Sequence, residues 1–425
     1  MSNAVKNGEA TATKAARRFT SARFVALLAV LGPGLLAGLS DDDPAGITTY
    51  SQLGAGYGYR LLWVLTISTI ALVLFQQLGA RIGVVTGQGL AGLIRQRYGA
   101  RAATLAIIAL LGANIGTTAA EFAGIAAGAE LFGVSRYIAV PIAAVAVSLL
   151  VLRGNFRNVE RVLLLLAAVF ICYVAAAFFA KPDWGAAFSG AVIPSMSLDK
   201  GSLLIATATL GTTLAPWGLS FIQSYVVDKR LTIKDMPYLR VDVWVGALLT
   251  GIIGFFVVVT TASTLHAHGI TNITDASQAA KALEPLAGTF ATALFAIGLI
   301  GAALLAASIL PLSTAYAVTD LTGQPAALDD SIKEAPLFYG TFAFVTLLAM
   351  SLVLIPGAPM VPILILTQVL NAILLLPLLG FMYGIARDKK LMGEHAAGRG
   401  ISITYIVAIV LIAICIVLLG YFSFF

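Results

Sequence analysis

Charge is what this 425-residue chain has least of. Only 11% of its residues are charged, while 59% are hydrophobic. A soluble domain carries roughly a quarter of its residues charged. No solvated surface of ordinary size can be made from so few, so lipid is the chain's main solvent. Cysteine and histidine are also scarce, at two and three residues. Cys172 and Cys415 both lie in apolar runs and read as packing residues, which excludes a disulfide framework and a zinc site. No H-E-x-x-H run is present for metalloproteolysis. Aspartyl proteolysis needs aspartates meeting from separate spans, and outside one cluster the aspartates fall at loops and segment ends. An enzyme is therefore not expected. Long polar stretches are missing too, so no soluble domain is inserted between the apolar segments.

What is present is a succession of apolar segments, each near the roughly 20 residues that span a bilayer. Eleven can be read, among them an interrupted first at about 24–55, a fifth at 161–180, an interrupted sixth at 201–227, a long eighth at 286–319 and a last at 401–425. Residues 1–23 form a basic, polar tail without signal-peptide features, and residues 24–425 form one membrane domain. Placing the N-terminus inside and alternating sides puts 21 of the 26 Lys and Arg on the cytoplasmic face. Only Arg60, Arg136, Lys181, Lys200 and Lys281 stay outside. This positive-inside bias predicts an N-in, C-out protein of a bacterial inner membrane. The net charge of +6 thus reports topology, and no nucleic-acid partner is expected. The 320–335 loop, with more acid than base, departs from the pattern.

Three consecutive carboxylates, Asp41, Asp42 and Asp43, precede Pro44 in "GLSDDDPAGITTY". They end a helix in an external loop, or they mark an unwound turn at mid-membrane after which the helix resumes. A second stretch, "ATLGTTLAPWGLSFIQSYVVDK", favours the unwound turn. Gly211, Pro216 and Gly218 stand there inside another apolar run, and proline supplies no N–H to the preceding turn. Carbonyls should be exposed near 212–215. The first and sixth segments are then both broken, five segments begin with each, and one is left over. Matching interrupted segments in two halves are the mark of an inverted-repeat transporter. Carboxylate at the break favours a cation, and oxygen ligands without cysteine or histidine favour a hard one.

At these residues the chain resembles the Nramp family of divalent-metal transporters, over nearly its whole length. The family's Asp-Pro-Gly-Asn motif is matched by Asp43, Pro44, Ala45 and Gly46, and "QQLGARIGVVTGQGLAGLIRQRYG" is similar to its second helix and the following loop. The resemblance implies an all-α, LeuT-like fold of 5+5 inverted-repeat helices plus one C-terminal helix, with helices 1 and 6 broken. It implies alternating access for a divalent metal ion, carried as cargo, with no resident cofactor. Asp43, Gly46, Thr212, Ala215 and Gln368 are the implied metal-site residues. Asp41, Asp42, Trp217 and Asn371 are expected just behind the metal's direct ligands or along the ion path, Trp217 reading equally as packing beside the break and Gln368 as a buried amide bonding its neighbours.

The departures bear on selectivity and coupling. Where the family usually has Met-Pro-His-Asn, this chain has Ala215, Pro216, Trp217 and Gly218. A thioether favours transition metals over harder ions, so its loss points to Mg²⁺ or Mn²⁺ and the Nramp-related magnesium and manganese branch. The histidine position is Trp217, and an aspartate position on the third helix is Thr118. Glu121 remains as a proton relay or a partner for neighbouring helices. Weak or absent proton coupling follows, the alternative being a proton-coupled Mn²⁺/Fe²⁺ symporter. Gly112, Gly116, Gly124 and Gly128 read as a close helix contact. His266 and His268 read as interfacial, and Glu284-Pro285 as a helix start.

Overall fold

In lipid a backbone must satisfy its own hydrogen bonds, so apolar runs of this length become helices. The computed structural model describes residues 32–153, 171–273, 276–280, 288, 291–324, 327–328, 330–357 and 360–424. Its principal helices are α1 (Pro33–Leu39), α2 (Pro44–Tyr57), α3 (Leu62–Thr86), α4 (Leu90–Tyr98), α5 (Ala100–Leu131), α6 (Arg136–Arg153), α7 (Ile171–Phe179) and α8 (Trp184–Val192). The second half holds α9 (Lys200–Thr213), α10 (Pro216–Asp228), α11 (Met236–Thr264), α12 (Ala291–Thr322), α13 (Pro336–Val353), α14 (Met360–Arg387) and α15 (Arg399–Phe424). Each of the eleven apolar segments has a counterpart. Eight of the described stretches are long and apolar enough to cross a membrane. The first span, α1 with α2, is split, and of the fifth only α7 is described. The 1–23 tail and Glu284-Pro285 lie outside the described residues.

Two elements differ from the sequence reading. Residues 90–98, expected as loop, form α4, which buries Leu90, Ala91, Leu93 and Ile94 while Arg95 and Arg97 stay outside. Residues 184–192, inside an expected external loop, form α8, whose N-terminal amide at Ala186 is capped by Asp183 at 3.0 Å. Both are too short to register as spans.

Burial sorts the helices. The apolar window of α9–α10 is 94% buried, whereas that of α15 is 17% buried. The sixth span is thus the centre of the bundle, and the eleventh is a lipid-facing addition whose Ile403, Val407 and Val417 stay exposed. Of the four glycines expected to bring α5 close to its neighbours, two do so. A side chain at Gly124 would strike Pro44, and one at Gly128 would meet Ile300 at 2.7 Å, whereas Gly112 has open space and Gly116 only an ordinary contact. At the N-terminal end of α9, Asp199 accepts from the Ser202 amide at 3.0 Å and its hydroxyl at 2.8 Å. These bonds hold its carboxyl below the usual range.

Candidate functional site

The first span breaks where Pro44 removes a donor. At the end of α1 the Ser40 amide donates to the Leu36 carbonyl at 3.1 Å and the Asp41 amide to that of Gly38 at 2.9 Å. Asp43 is extended (φ −69°, ψ 173°), and its Oδ1 accepts from the Gly46 amide at 2.5 Å, capping α2. Pro44 then occupies the first helical position, where its fixed φ fits and a missing N–H does no harm. It stands four residues after Ser40, so the Ser40 carbonyl has no helical donor.

The sixth span repeats the device. The helix α9 stops at Thr213, Leu214 closes it by donating to the Leu210 carbonyl at 2.9 Å, and Ala215 turns out of helical geometry (φ −52°, ψ 130°). Pro216 opens α10 four residues after Thr212, whose carbonyl likewise lacks a helical donor. The Ala215 carbonyl accepts from the Gly218 amide at 3.1 Å.

The two breaks meet at Gly46. A β-carbon there would lie 2.5 Å from the Asp41 carbonyl oxygen, 3.1 Å from Thr212 Oγ1 and 3.2 Å from Asp43 Oδ1. Beside it the Tyr50 hydroxyl donates to Thr213 Oγ1 at 2.9 Å, since the Thr213 proton goes to the Thr209 carbonyl at 2.8 Å. Asp41 points elsewhere: its Oδ1 is 3.6 Å from where a Gly218 β-carbon would be, at the start of α10. Behind α9, Gly211 lies against the Gln368 backbone so closely that any side chain would collide with it. The Gln368 Oε1 accepts from Asn371 Nδ2 at 3.0 Å, and Asn371 Nδ2 also reaches Thr117 Oγ1 at 3.2 Å, tying α14 to α5. From α5 the Glu121 carboxyl faces that of Asp43.

These groups are sealed from the bilayer yet largely unpaired. Asp41, Asp42, Asp43 and Glu121 are 1%, 0%, 3% and 0% exposed. Both carboxyl oxygens of Asp41, Asp42 and Glu121, together with Thr212 Oγ1 and Gln368 Nε2, have no hydrogen-bond partner. Buried polar groups are normally satisfied, and an unpaired charge at membrane depth costs several kcal/mol. A concentration of free oxygens at two opposed helix breaks is the arrangement expected around an exchangeable cation. The carboxylates do not converge as a cage, however. Among the described residues no three of His, Cys, Asp and Glu are placed to hold one metal ion. An ion here would meet at most two carboxylates at once, with backbone oxygen and water completing its shell.

Of the residues singled out in the sequence, Asp43, Gly46, Thr212 and Ala215 come together at the breaks, and Gln368 and Asn371 stand behind α9. Trp217 is buried in the first turn of α10, and its carbonyl accepts from Ser313 Oγ at 3.0 Å. His266 lies outside the site, its Nδ1 2.8 Å from the Ala55 carbonyl oxygen. Sequence reasoning missed Asp242. Its carboxylate accepts from the amides of Gly32, Gly34 and Leu35 at 3.0, 2.6 and 3.3 Å, capping α1 from α11. It also missed the Ser40 carbonyl, which the spacing to Pro44 could have revealed.

Comparison with known proteins agrees with this architecture. The natural resistance-associated macrophage protein-like (Nramp) family matches residues 34–422. The divalent metal cation transporter MntH of Klebsiella pneumoniae (strain 342) is 30% identical over 395 residues, covering 90% of this chain and 92% of that protein. Its counterpart in Pectobacterium carotovorum subsp. carotovorum (strain PC1) is 29% identical over 386 residues, covering 88% and 90%. The crystal structure of the Eremococcus coleocola manganese transporter with an aromatic bis-isothiourea compound superposes with a TM-score of 0.74 at 18% identity, over 92% of this chain and 85% of that one. MhsT in complex with L-phenylalanine superposes at 0.64 and 15% identity, over 90% and 98%. The fold is LeuT-like, with broken first and sixth helices and α15 as the additional eleventh span.

Proposed function

Because the chain belongs to the Nramp family, we propose that it carries divalent metal cations, Mg²⁺, Mn²⁺ or both, across a bacterial inner membrane with its N-terminus cytoplasmic. The observation that supports this reading is the meeting of two proline-made helix breaks around buried, unpartnered oxygens. Asp43 supplies the charge, and the carbonyls of Thr212 and Ser40, left without helical donors, supply further oxygen. Gly46 sits inside the first turn of α2, so what it gives the ion is room. Gln368 has its amide oxygen engaged by Asn371 and offers an N–H to the ion's water or to a carboxylate. Ala215 brings no thioether. One carboxylate, carbonyls and water suit a hard ion that keeps part of its hydration, as Mg²⁺ does.

Glu121 supports a second reading. Its carboxyl faces Asp43 from α5, where a displaced proton would have an acceptor. A proton-coupled Mn²⁺/Fe²⁺ symporter would use it as the relay. Weak or absent coupling is the reading preferred here, because Thr118 and Trp217 offer no further titratable group along such a path.

Uptake into proteoliposomes containing a pH dye, with Mg²⁺, Mn²⁺ and Ca²⁺ compared and Asp43→Ala as control, tests both. Mg²⁺ entry without acidification, lost in the variant, is the expected result. Mn²⁺ entry with acidification and no Mg²⁺ entry would overturn it in favour of the symporter.

A further inference from the structure

The short helix α4 is fastened to three spans that border the site. Gln223 of α10 donates from Nε2 to the Gln88 carbonyl at 3.1 Å, just before α4 begins. The next residue, Ser224, donates to Asp320 Oδ2 of α12 at 2.9 Å. That carboxylate lies so close against Gly89 that any side chain there would run into it. Arg95 donates to the Leu321 carbonyl of α12 at 2.9 Å, and Ala91 packs in one cluster with Ala317 of α12. At the far end of α4, Arg97 pairs with Asp388, just past α14, and the Tyr98 ring meets Phe381 of α14 with centroids 5.0 Å apart.

The three spans all bear on the ion. The second break opens α10, Gln368 stands on α14, and Ser313 of α12 holds the Trp217 carbonyl. A passage from the site to this face has to open between the ends of such helices. They cannot separate while one nine-residue helix is joined to all three. At either end of α4 stands a glycine of positive φ, Gly87 at +64° and Gly99 at +87°, with open space where a side chain would be. A bar with unpacked glycines at both ends is free to swing.

The opposite mouth carries a matching contact. Gln52 of α2 donates from Nε2 to the Thr271 carbonyl at 3.0 Å and accepts from the Ile273 amide at 2.8 Å. Gln52 stands eight residues after Pro44, and Gln223 seven after Pro216. Each glutamine thus lies on the half-helix that follows a break. Each grips the backbone of the loop that follows the span packed beside it, α11 for α2 and α3 for α10. In an inverted repeat these two loops lie at opposite faces. A grip that recurs once at each face points to the two-sided transport cycle.

We propose that α4 is a tie bar that keeps the mouth at the Thr86 end of α3 closed, released through Gln223 and Ser224. That mouth is cytoplasmic on the topology proposed above, and the passage it closes rests on the transport reading. Gln223 is about 10 Å along α10 from Pro216, at 1.5 Å per residue, so a rotation of α10 at the break reaches the bar directly. For the ion to leave, the Gln223–Gln88 and Ser224–Asp320 bonds part and α4 swings about its glycines.

The reporter for this mouth is Gly218→Cys in a Cys172→Ala/Cys415→Ala chain, where a β-carbon would lie 3.6 Å from Asp41 Oδ1. Its maleimide labelling in detergent should accelerate about tenfold when Gln223→Leu and Ser224→Ala are combined, as a minor open state becomes populated. Gly89→Ala, whose methyl displaces the Asp320 carboxylate, should do the same, and Arg136→Gln should change nothing. Thermal melting identifies a variant that fails to fold, and two independent ways of loosening the bar guard against one doing so. In a second arm, without the reporter, Gln88→Cys and Gln223→Cys are bridged by a short bifunctional thiosulfonate. Bridging should slow Mn²⁺ or Mg²⁺ uptake into proteoliposomes by about tenfold or more, and a reductant should restore it. Labelling unaffected by both loosened variants, or a bridged protein as fast as the unbridged one, would overturn the proposal and make α4 a fixed part of the scaffold. Labelling uses no metal, so it decides the tie bar even if the chain carried none.

Discussion

The carboxyl groups of Asp43 and Glu121 face each other across the contact between α2 and α5, beside the point where Pro44 is seated on Gly124. Asp43 has the Gly46 amide at 2.5 Å to hold it, while neither oxygen of Glu121 has a partner. Two carboxyls this close in a low-dielectric interior are stabilised by any cation that joins them, metal ion or proton. Their partnership separates two roles that a single substitution can distinguish.

Glu121→Gln keeps the shape and removes the charge. If Asp43 carries the ion, this variant should weaken metal uptake by less than about tenfold, or ~1.4 kcal/mol. Asp43→Asn should abolish uptake. Radiometal uptake titrated for both variants, with internal pH followed, checks this. A Glu121→Gln protein as inactive as Asp43→Asn would make Glu121 a metal ligand or an obligatory relay.

The prolines give a second prediction. Pro216→Ala restores an amide four residues after Thr212, and that amide can close the break by donating to the Thr212 carbonyl. The variant should melt at the same temperature as the parent or higher, because a helix-interrupting residue is gone. Its metal uptake should fall by about tenfold or more, since one oxygen ligand and the hinge are lost together. Thermal melting and uptake on the same preparation decide it. Unchanged uptake would mean that the break is held by tertiary packing and that the carbonyl does not serve the ion.

The broken spans were legible in the sequence because proline, glycine and aspartate inside apolar runs violate the rule for a continuous helix. The run Asp41–Asp43, Pro44 and Pro216 thus identified themselves, while the choice of Asp43 within the run came from the family resemblance. Two kinds of feature stayed hidden. The short helices α4 and α8 lack the length that makes hydropathy informative, and their stability comes from burying one face against neighbours. Asp242 was invisible for a different reason. It lies near the start of α11 and looks like an ordinary helix-end charge, and only the approach of α1, with Gly34 2.6 Å from Val243 backbone atoms in β-carbon terms, shows what it does. The direction of the three aspartates was equally out of reach, since a run of identical side chains says nothing about which way each one turns.

Asp242 yields a third prediction. Its carboxylate holds the first turn of α1 by three amide bonds, in the position where an anion best complements a helix N-terminus. Asp242→Asn should destabilise this cap by about 1–2 kcal/mol. Because the residue is remote from the ion, the Mg²⁺ to Mn²⁺ uptake ratio should stay constant while the maximal rate falls. Competition between the two metals in one assay reads the ratio directly. A changed ratio would place Asp242 in the ion path.

Selectivity can be put to the chain at a single position. Ala215 is 3% exposed and stands at the second break, with the donor-less Thr212 carbonyl three residues before it. Ala215→Met would add a soft sulfur ligand to a set otherwise made of oxygen, and thioether stabilises transition metals far more than Mg²⁺. The variant should shift the Mn²⁺ to Mg²⁺ uptake ratio toward Mn²⁺ by about tenfold, equivalent to ~1.4 kcal/mol of differential binding. The argument requires the side chain to reach the ion, so Ala215→Leu, of similar volume without sulfur, is the matched control. It should reduce both metals alike by steric crowding. If methionine and leucine had the same effect on the ratio, size alone would govern entry. The missing thioether would then carry no information about which metal this protein takes.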